Sequence, residues 1–327
     1  MRRRQLLALA PAWAATPALA ADTALRLVVA YPPGGLSDEV ARALAEPLAT
    51  ALGRPVRVEH RPGAGGALAM ELLARAPGDG SVLVFCAVTP LALLPLLGPT
   101  AYDPQRDITP VAAVMATPVL VLGTPALNTD RFDGLVALAR ARPGQLRWAS
   151  SGLATTGHLV LEQVGLSAGV DIVHVPYKGG GQQLNDALGG QFEVLSSNVA
   201  PATLQFVRDG RLKALAVGAA QRLPALPAVP TLAEAGHPDA NLQSLFGVFA
   251  PGSTPVPLVT RLNAALRQAL ASTALRERLL AANNLPQDGS AAQFAQQIAT
   301  ETAHLRRLTQ RRPIRLGEIA ELQRQSG

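Results

Sequence analysis

A short apolar run, a proline–glycine turn and an amphipathic helix follow one another near the start of the chain, and this stretch restricts the fold more than any other. The apolar run covers residues 25–30, the turn covers residues 31–35, and apolar side chains recur at helical spacing from Val40 to Leu52. This order is typical of a buried strand followed by a crossover helix. The stretch therefore predicts an α/β fold.

The turn of this unit is a candidate anion site. Its two prolines carry no N–H group, so the next free donors belong to Gly34, Gly35 and the first helical turn. Amide groups at a helix N-terminus, together with the helix dipole, favour a bound carboxylate or phosphate. A purely structural interpretation also stands, in which the glycines only form the turn and Ser37 or Asp38 only caps the helix.

The same pattern is repeated further along the chain. Residues 55–60 form a second apolar run, residues 61–66 a second glycine turn and residues 67–76 a second helix, before a third strand at residues 81–88. Successive strand–helix units build a parallel sheet, and ligands bind at the carboxyl ends of its strands. Thr89, which directly follows the third strand, is therefore a further candidate contact.

The middle of the chain predicts a second domain of the same kind. Two strands at residues 111–115 and 119–122, joined through Thr117 and Pro118 with no helix between them, mark the crossing into this domain. An alternating series follows, with helices at residues 133–140, 158–166 and 182–188 and strands at residues 146–149, 172–175, 192–195 and 212–217.

The last third of the chain is predicted to return to the first domain. A strand at residues 246–251 makes the return, and helices at residues 256–270, 273–282 and 290–309 cover that domain from outside. Two α/β lobes joined by two crossings form a clamp with a ligand cleft between them. The predicted boundaries are residues 22–116 with 230–327 for lobe I and residues 117–229 for lobe II.

The first twenty residues have the pattern of a secretory signal peptide. Three arginines follow Met1, an apolar run comes next, and small residues end at Ala20, where cleavage is expected. Arg3 and Arg4 also fit the twin-arginine pattern, so the general and the twin-arginine export routes both stay open. The sequence therefore predicts an exported protein.

Composition excludes several classes of protein. Once the leading arginines are removed the remaining cations are dispersed, and only 4% of the residues are aromatic, so a nucleic-acid surface is not predicted. Cys86 is the only cysteine, which rules out an internal disulfide. It lies in the third apolar run, as expected of a buried, inert thiol.

A second candidate anion site is the segment 150–158, between a predicted strand and a predicted helix. It offers four hydroxyls and a glycine amide, from Ser150, Ser151, Gly152, Thr155 and Thr156. Hydroxyl and N–H donors that meet at a helix N-terminus can neutralise a carboxylate. The alternative is that Thr155 or Thr156 only caps the helix. His158 is either a cationic ligand contact or a packed residue, and the packed role is favoured.

Further polar groups lie at strand ends on the same predicted edge. Tyr177 and Lys178 precede three glycines; Lys178 either attracts an anion or is solvated, and the glycines let this loop approach the other lobe. Ser197 and Asn198 end the next strand. Tyr31 either forms a wall of the pocket or packs on its own loop.

Catalytic and cofactor motifs are missing from the sequence. It has no Gly-x-Ser-x-Gly elbow, no Gly-x-x-x-x-Gly-Lys loop and no metal-ligand spacing among its histidines. We therefore expect no cofactor, no bound metal and no enzymatic activity. The competing hypothesis is an exported two-domain α/β enzyme acting on a small anionic substrate, with Ser151, His158 and Asp38 in chemical roles.

Five motifs in order carry a family resemblance: the turn 31–35 with Asp38, and the segments 59–66, 150–158, 175–179 and 227–236. Together they resemble the Bug family, the periplasmic solute receptors of tripartite tricarboxylate transporters. The resemblance implies a two-lobe type II periplasmic-binding-protein fold, each lobe a mostly parallel sheet flanked by helices. It also implies a monomer in the periplasm that captures a small carboxylated solute and delivers it to a membrane permease; a receptor that signals to a membrane sensor would use the same site.

The resemblance also assigns binding residues. It places the family's first-lobe carboxylate loop on Tyr31, Gly34, Gly35, Leu36, Ser37 and Asp38, and its second-lobe loop on Ser150, Ser151, Gly152, Thr155, Thr156 and His158. Family members commonly reach the carboxylate through backbone amides and ordered water. Ser197 stands where an aspartate is common, so we expect a change at the distal end of the ligand. The complete predicted set also contains Thr89, Tyr177, Ser197 and Asn198.

Overall fold

The computed structural model describes residues 24–311 of the chain. The predicted signal peptide, residues 1–20, lies outside them. The strands are β1 (Leu25–Val29), β2 (Val56–His60), β3 (Val82–Ala87), β4 (Ile108–Gly123), β5 (Arg147–Ser150), β6 (Val173–Pro176), β7 (Val194–Asn198), β8 (Lys213–Gly218), β9 (Gln243–Pro251) and β10 (Leu285–Pro286). The helices are α1 (Leu36–Leu52), α2 (Ala67–Ala74), α3 (Thr89–Ala92), α4 (Leu94–Leu97), α5 (Phe132–Ala141), α6 (Thr156–Ala168), α7 (Gly180–Leu188), α8 (Pro201–Arg208), α9 (Val256–Leu270), α10 (Thr273–Ala281) and α11 (Ala291–Arg311).

The first sheet confirms the repeated strand–helix pattern. β1 lies between β2 and β3 and pairs in parallel with both, and β9 pairs antiparallel with β3. The buried rings of Phe85 and Phe246 lie in its core, and Cys86 of β3 is fully buried. Burial raises the pKa of the Cys86 thiol to about 12, as expected of an inert thiol. Because the three parallel strands end at one edge, the turns that follow them gather there.

The crossing between the sheets differs from the prediction. Residues 111–115 and 119–122 belong to a single strand, β4, instead of two strands separated at Thr117 and Pro118. Pro118 is the last residue of β4 that pairs with β9, and Val119 is the first that pairs with β7 and β8. The missing N–H of Pro118 therefore falls where the strand changes partners, and the strand continues through it.

The second sheet is built around the other half of β4. β7 and β8 pair antiparallel with that half, and β5 pairs in parallel with both β6 and β7. The two sheets, with helices packed on them, form the α/β two-lobe architecture that was predicted. Their strands follow the predicted lobes, whose boundaries at residues 116–117 and 229–230 stay a prediction.

The helices are largely those predicted, but three short ones were not predicted. α9 has the predicted bounds, and α1, α2, α5, α6, α7, α10 and α11 lie at the predicted places. The short helices α3, α4 and α8 were not predicted, and β7 extends to Asn198 instead of ending at Leu195. Within residues 24–311, none of the helices combines the length and the apolar character that a membrane span requires.

Candidate functional site

A cavity of about 90 Å³ opens where the turns of the two sheets face each other. This volume accommodates several water molecules or part of a small organic solute. Eleven of the predicted site residues line it: Tyr31, Gly34, Gly35, Leu36, Ser37, Thr89, Ser151, Thr155, Thr156, Ser197 and Asn198. Five do not: Asp38, Ser150, Gly152, His158 and Tyr177.

Four helices of eight residues or more begin at this cavity. They are α1, α6, α7 and α8, whose first residues or N-caps form parts of its wall. The N–H groups of a first helical turn have no acceptor inside the helix, and the dipole makes that end positive. Among the described residues that line the cavity there is no lysine, arginine or histidine. The wall therefore attracts anions through neutral groups.

One carboxylate of the chain lies in the wall. Glu39, in the first turn of α1, lines the cavity and also lines a small neighbouring cavity together with Arg278 of α10. A carboxylate in the first turn is stabilised by its own helix dipole. Glu39 therefore brings one negative charge to the wall, and the helix N-termini around the cavity oppose it.

The first glycine turn presents amides from α1. The N–H groups of Asp38 and Glu39 donate to the Gly35 carbonyl at 3.0 and 3.1 Å, and this bond starts the helix. The amides of Leu36 and Ser37, which directly precede Asp38, are the first two of the helix and have no intrahelical acceptor. These groups, with the Ser37 hydroxyl, are the donors that α1 brings to the cavity.

Asp38 was predicted as a contact, but it supports the turn from behind. Its side chain is buried and accepts the Gly34 N–H at 2.9 Å, so the predicted free donor of Gly34 is already used. His60 and Arg42 each lie 2.8 Å from the same carboxylate. Burial acts to raise the pKa of Asp38, but the Gly34 amide, His60 and Arg42 together hold the pKa below its ordinary value. Asp38 is therefore an anionic brace for the turn.

The second loop is held by a cap of the kind that was considered as the alternative. The Thr155 hydroxyl donates to the Gly152 carbonyl at 2.8 Å and accepts the His158 N–H at 3.3 Å, which caps α6. Thr155 nevertheless lines the cavity, as do Ser151 and Thr156. Capping and wall formation therefore coincide at this residue.

Ser150 and His158 lie beneath that loop instead of in the cavity. The ring of His158 is stacked on His174 with centroids 4.0 Å apart, and its Nδ1 accepts the Ala154 N–H at 3.1 Å. Ser150 is fully buried and donates to the Gly152 carbonyl at 2.9 Å. Because that bond uses the hydroxyl proton, the 2.7 Å contact with His174 is a bond donated by the His174 Nε2–H. The packed role that was favoured for His158 is the observed one.

Tyr177 also faces away from the cavity. Its hydroxyl donates to the Asp186 carboxylate at 2.7 Å, and its ring meets Phe192 edge-on. Burial, followed by the Asp186 charge, raises the pKa of Tyr177 to about 12. The neighbouring Lys178 is exposed, in agreement with the solvated alternative. The part of this loop that reaches the cavity is Gly180 with Gly181.

The rest of the wall is uncharged and hydroxyl-rich. Asn198 accepts a bond from Ser244 at 2.8 Å, and the Tyr31 ring meets Phe246 edge-on at 6.1 Å. Thr89 lines the cavity, and its buried hydroxyl has no hydrogen-bond partner among the described residues. Leaving a buried hydroxyl unpaired is costly, so a ligand or water that reached it would gain a hydrogen bond.

Sequence reasoning missed several lining residues. Ser244 and Phe246 are alternate residues of β9, so a period-two pattern on that strand could have indicated them. Ala202 and Thr203 lie in α8, which was not predicted, and the proline at its first position was the available signal. The missed part of the wall therefore comes from α8, between β7 and β8, and from β9.

The described residues offer no support for the catalytic arrangement of the competing hypothesis. Within residues 24–311, no hydrogen bond joins Ser151, His158 and Asp38 to one another. Ser150 is fully buried, His174 is partly buried, and neither residue lines the cavity. The same residues contain no group of three or more His, Cys, Asp or Glu side chains that could hold a metal ion.

Comparison with known proteins gives one consistent family. Residues 40–314 match the family described as "Tripartite tricarboxylate transporter family receptor". Protein BugT of Bordetella pertussis is 36% identical over 296 residues, which cover 88% of this chain and 90% of BugT. The solved structure of R. palustris Rpa4515 with adipate is 32% identical, with a TM-score of 0.82 over 88% of this chain and 96% of that one. MatC from Rhodopseudomonas palustris, with bound malate, is 30% identical, with a TM-score of 0.82 over 87% of this chain and 98% of MatC.

Proposed function

The chain belongs to the tripartite tricarboxylate transporter receptor family, the Bug family of periplasmic solute receptors, and from that premise we propose that it binds a small organic acid in the cavity between its lobes. It delivers this acid to the permease of a tripartite transporter and catalyses no reaction on it. Its place of action is the periplasm, in keeping with the secretory pattern of residues 1–20.

The observation that carries the proposal is the convergence of α1, α6, α7 and α8 on a cavity whose wall has no cationic side chain. Each helix N-terminus contributes unpaired amides and about half a positive charge. An anion in the cavity is therefore neutralised by oriented amides and hydroxyls, which need no proton transfer or paired cation. A neutral solute would gain nothing from this field.

The residues assigned to the ligand follow from this field. One carboxylate is bound by the amides of Gly35, Leu36 and Ser37 and by the hydroxyl of Ser151, while Thr155, whose hydroxyl proton is used by the Gly152 carbonyl, forms part of the surrounding wall. The remainder of the solute meets Thr89, Ser197 and Asn198. Asp38, Ser150, Gly152, His158 and Tyr177, which were also predicted as contacts, act on the shape of the loops.

Two relatives indicate the class of acid. Rpa4515 and MatC are described with adipate and malate, and both of these ligands are dicarboxylates. A wall with several separate helix N-termini suits two carboxylates better than one, because each carboxylate can meet its own set of amides.

A thermal-shift screen tests the proposal. The purified mature chain is heated with a panel of mono- and dicarboxylates that includes adipate and malate, and with the matching diamides as uncharged controls. A ligand whose free concentration is about a hundred times its dissociation constant stabilises the folded protein by about 2.7 kcal/mol. Even a modest affinity therefore gives a clear rise in Tm. An acid-specific rise supports the proposal. No rise with any acid, or an equal rise with acid and diamide, would overturn it.

A further inference from the structure

The turn that follows β2 touches the loop that follows β5. A Cβ atom placed on Gly65 would lie 2.4 Å from the carbonyl oxygen of Leu153, well inside the 3.0 Å that real Cβ atoms respect. Gly65 belongs to the first sheet's edge and Leu153 to the second's, and neither residue lines the cavity. The obstacle is a backbone atom, so no side-chain rotation can relieve it.

A second contact of the same kind lies after β1 and β6. A Cβ atom on Gly179 would lie 2.4 Å from the Cδ of Pro32, in a ring that cannot rotate away. Gly179 is buried, although it lies outside the cavity wall. The two lobes therefore meet at two places where only a hydrogen atom fits between them.

We propose that Gly65 and Gly179 set the affinity of the receptor by allowing the lobes to close on the solute. This inference rests on the proposed function, because affinity here means affinity for the acid. Closure places the α1 amides and the α6 hydroxyls around one cavity, and a methyl group at either glycine keeps the lobes apart by a fraction of an ångström or more. Hydrogen bonds from both sides cannot then all reach their ordinary length.

The effect on affinity follows from the fraction of molecules in the closed form. A solute that needs the closed form binds with an apparent dissociation constant that rises as the closed fraction falls. A methyl wedge lowers that fraction without removing any group that touches the solute. Affinity should therefore fall while the binding residues stay intact.

The chain contains a matched control for each position. Gly53 at the end of α1 has φ +66°, close to the +63° of Gly65, but a Cβ there meets nothing within 4 Å. Gly98 after α4 has φ 170°, close to the 169° of Gly179, and is also open. Each control repeats the backbone conformation of its partner and lacks the contact across the cleft.

The test compares Gly65→Ala and Gly179→Ala with Gly53→Ala and Gly98→Ala. Calorimetric titration with adipate, malate and any acid found by the thermal screen should show binding weakened by about tenfold or more in the first pair and by less than about twofold in the second. Small-angle scattering with each acid in excess should show a larger radius of gyration for the first pair only. Wild-type affinity and wild-type size in both wedge variants would overturn the inference.

Failure of this inference can be told apart from failure of the proposed function. If the wild-type chain binds no acid, the proposed function fails. The role of the two glycines in closure is then tested by scattering of the unliganded variants. The Gly65→Ala and Gly179→Ala variants must have a larger radius of gyration than their controls, and equal values overturn the inference. Urea unfolding checks that each variant folds. If Gly65→Ala does not fold because of its positive φ, Gly179→Ala carries the test, since its extended backbone suits any residue.

Discussion

The Nε2–H of His174 donates to the buried hydroxyl of Ser150 at 2.7 Å, and Ser150 passes a bond on to the Gly152 carbonyl. The His174 ring is stacked on His158, and its burial favours the neutral imidazole. The cavity loop above it is thus supported by a histidine that does not touch the solute. Its protonation state makes the loop, and the fold around it, dependent on pH.

Stability should fall as the pH is lowered from about 6.5. Burial lowers the pKa of His174 to about 3, and the adjacent His158 acts in the same direction. Between the two pKa values the unfolded chain holds the proton and the folded chain does not, so unfolding is favoured by up to about 1.4 kcal/mol per pH unit. Urea denaturation at pH 7.5, 6.5 and 5.5 measures the slope.

His174→Gln should flatten that slope, since glutamine can still donate to Ser150 but does not titrate. A residual slope is expected from His237, whose pKa is lowered by burial and then by Arg140. An unchanged slope in the variant would assign the pH dependence to other groups.

Asp38→Asn should weaken both the fold and acid binding. The substitution removes the charge that accepts from Gly34, His60 and Arg42, and the loss of such buried charge-assisted bonds costs about 1–3 kcal/mol. Asparagine has a single acceptor oxygen, so either the Gly34 amide or the pair of His60 and Arg42 loses its acceptor, and the α1 turn is held less firmly. Urea unfolding and calorimetry measure the two effects. Asp133→Asn, which breaks the exposed ion pair with Arg131, is the control and should leave both nearly unchanged.

Ser151→Asp should abolish binding of organic acids. A carboxylate in the wall would face the carboxylate of the solute in a cavity with no cation to screen it, and binding should weaken by about a hundredfold or more. Ser290→Asp is the control, because Ser290 accepts the Gln293 N–H outside the cavity and aspartate can do the same. Equal binding by both variants would place the solute elsewhere.

Ser197→Asp should change selectivity more than it changes overall affinity. The new carboxylate would repel a second carboxylate of the solute and attract an ammonium group, so dicarboxylates should lose about tenfold in affinity relative to amino acids. Competition titrations of malate against asparagine, which has one carboxylate and one ammonium group, measure the ratio. Ser197→Asn, similar in size and uncharged, should keep the wild-type ratio, and a shift of equal size in Ser197→Asn would attribute the change to shape.

The glycine turns and the helix starts were predictable because both depend on residues that are adjacent in the sequence. Gly34, Gly35 and Thr155 sit directly before helical patterns, and all three line the cavity. What failed was the inference from a polar side chain in such a loop to a contact with solute. Asp38, Ser150 and His158 have the right chemistry, but their partners, His60, His174 and Ala154, include residues that only the folded chain brings close.

The missed elements have a different cause. Pro118 predicted a break in β4, yet a proline is tolerated where a strand changes partners, and that exchange depends on β7, β8 and β9 from distant parts of the sequence. α8 is only eight residues long and directly follows the polar end of β7. Short elements flanked by proline give too few periods for a pattern to establish them.

The pairing of β4 with β9 at Thr117 and Ser244 places the outgoing and returning passages of the backbone side by side as a hydrogen-bonded ribbon. Such a ribbon bends across its flat face more easily than it shears along its length, since shearing would break the ladder. Capture and release should therefore follow one hinge-bending motion, in which the two paired strands bend together and their ladder of hydrogen bonds stays intact.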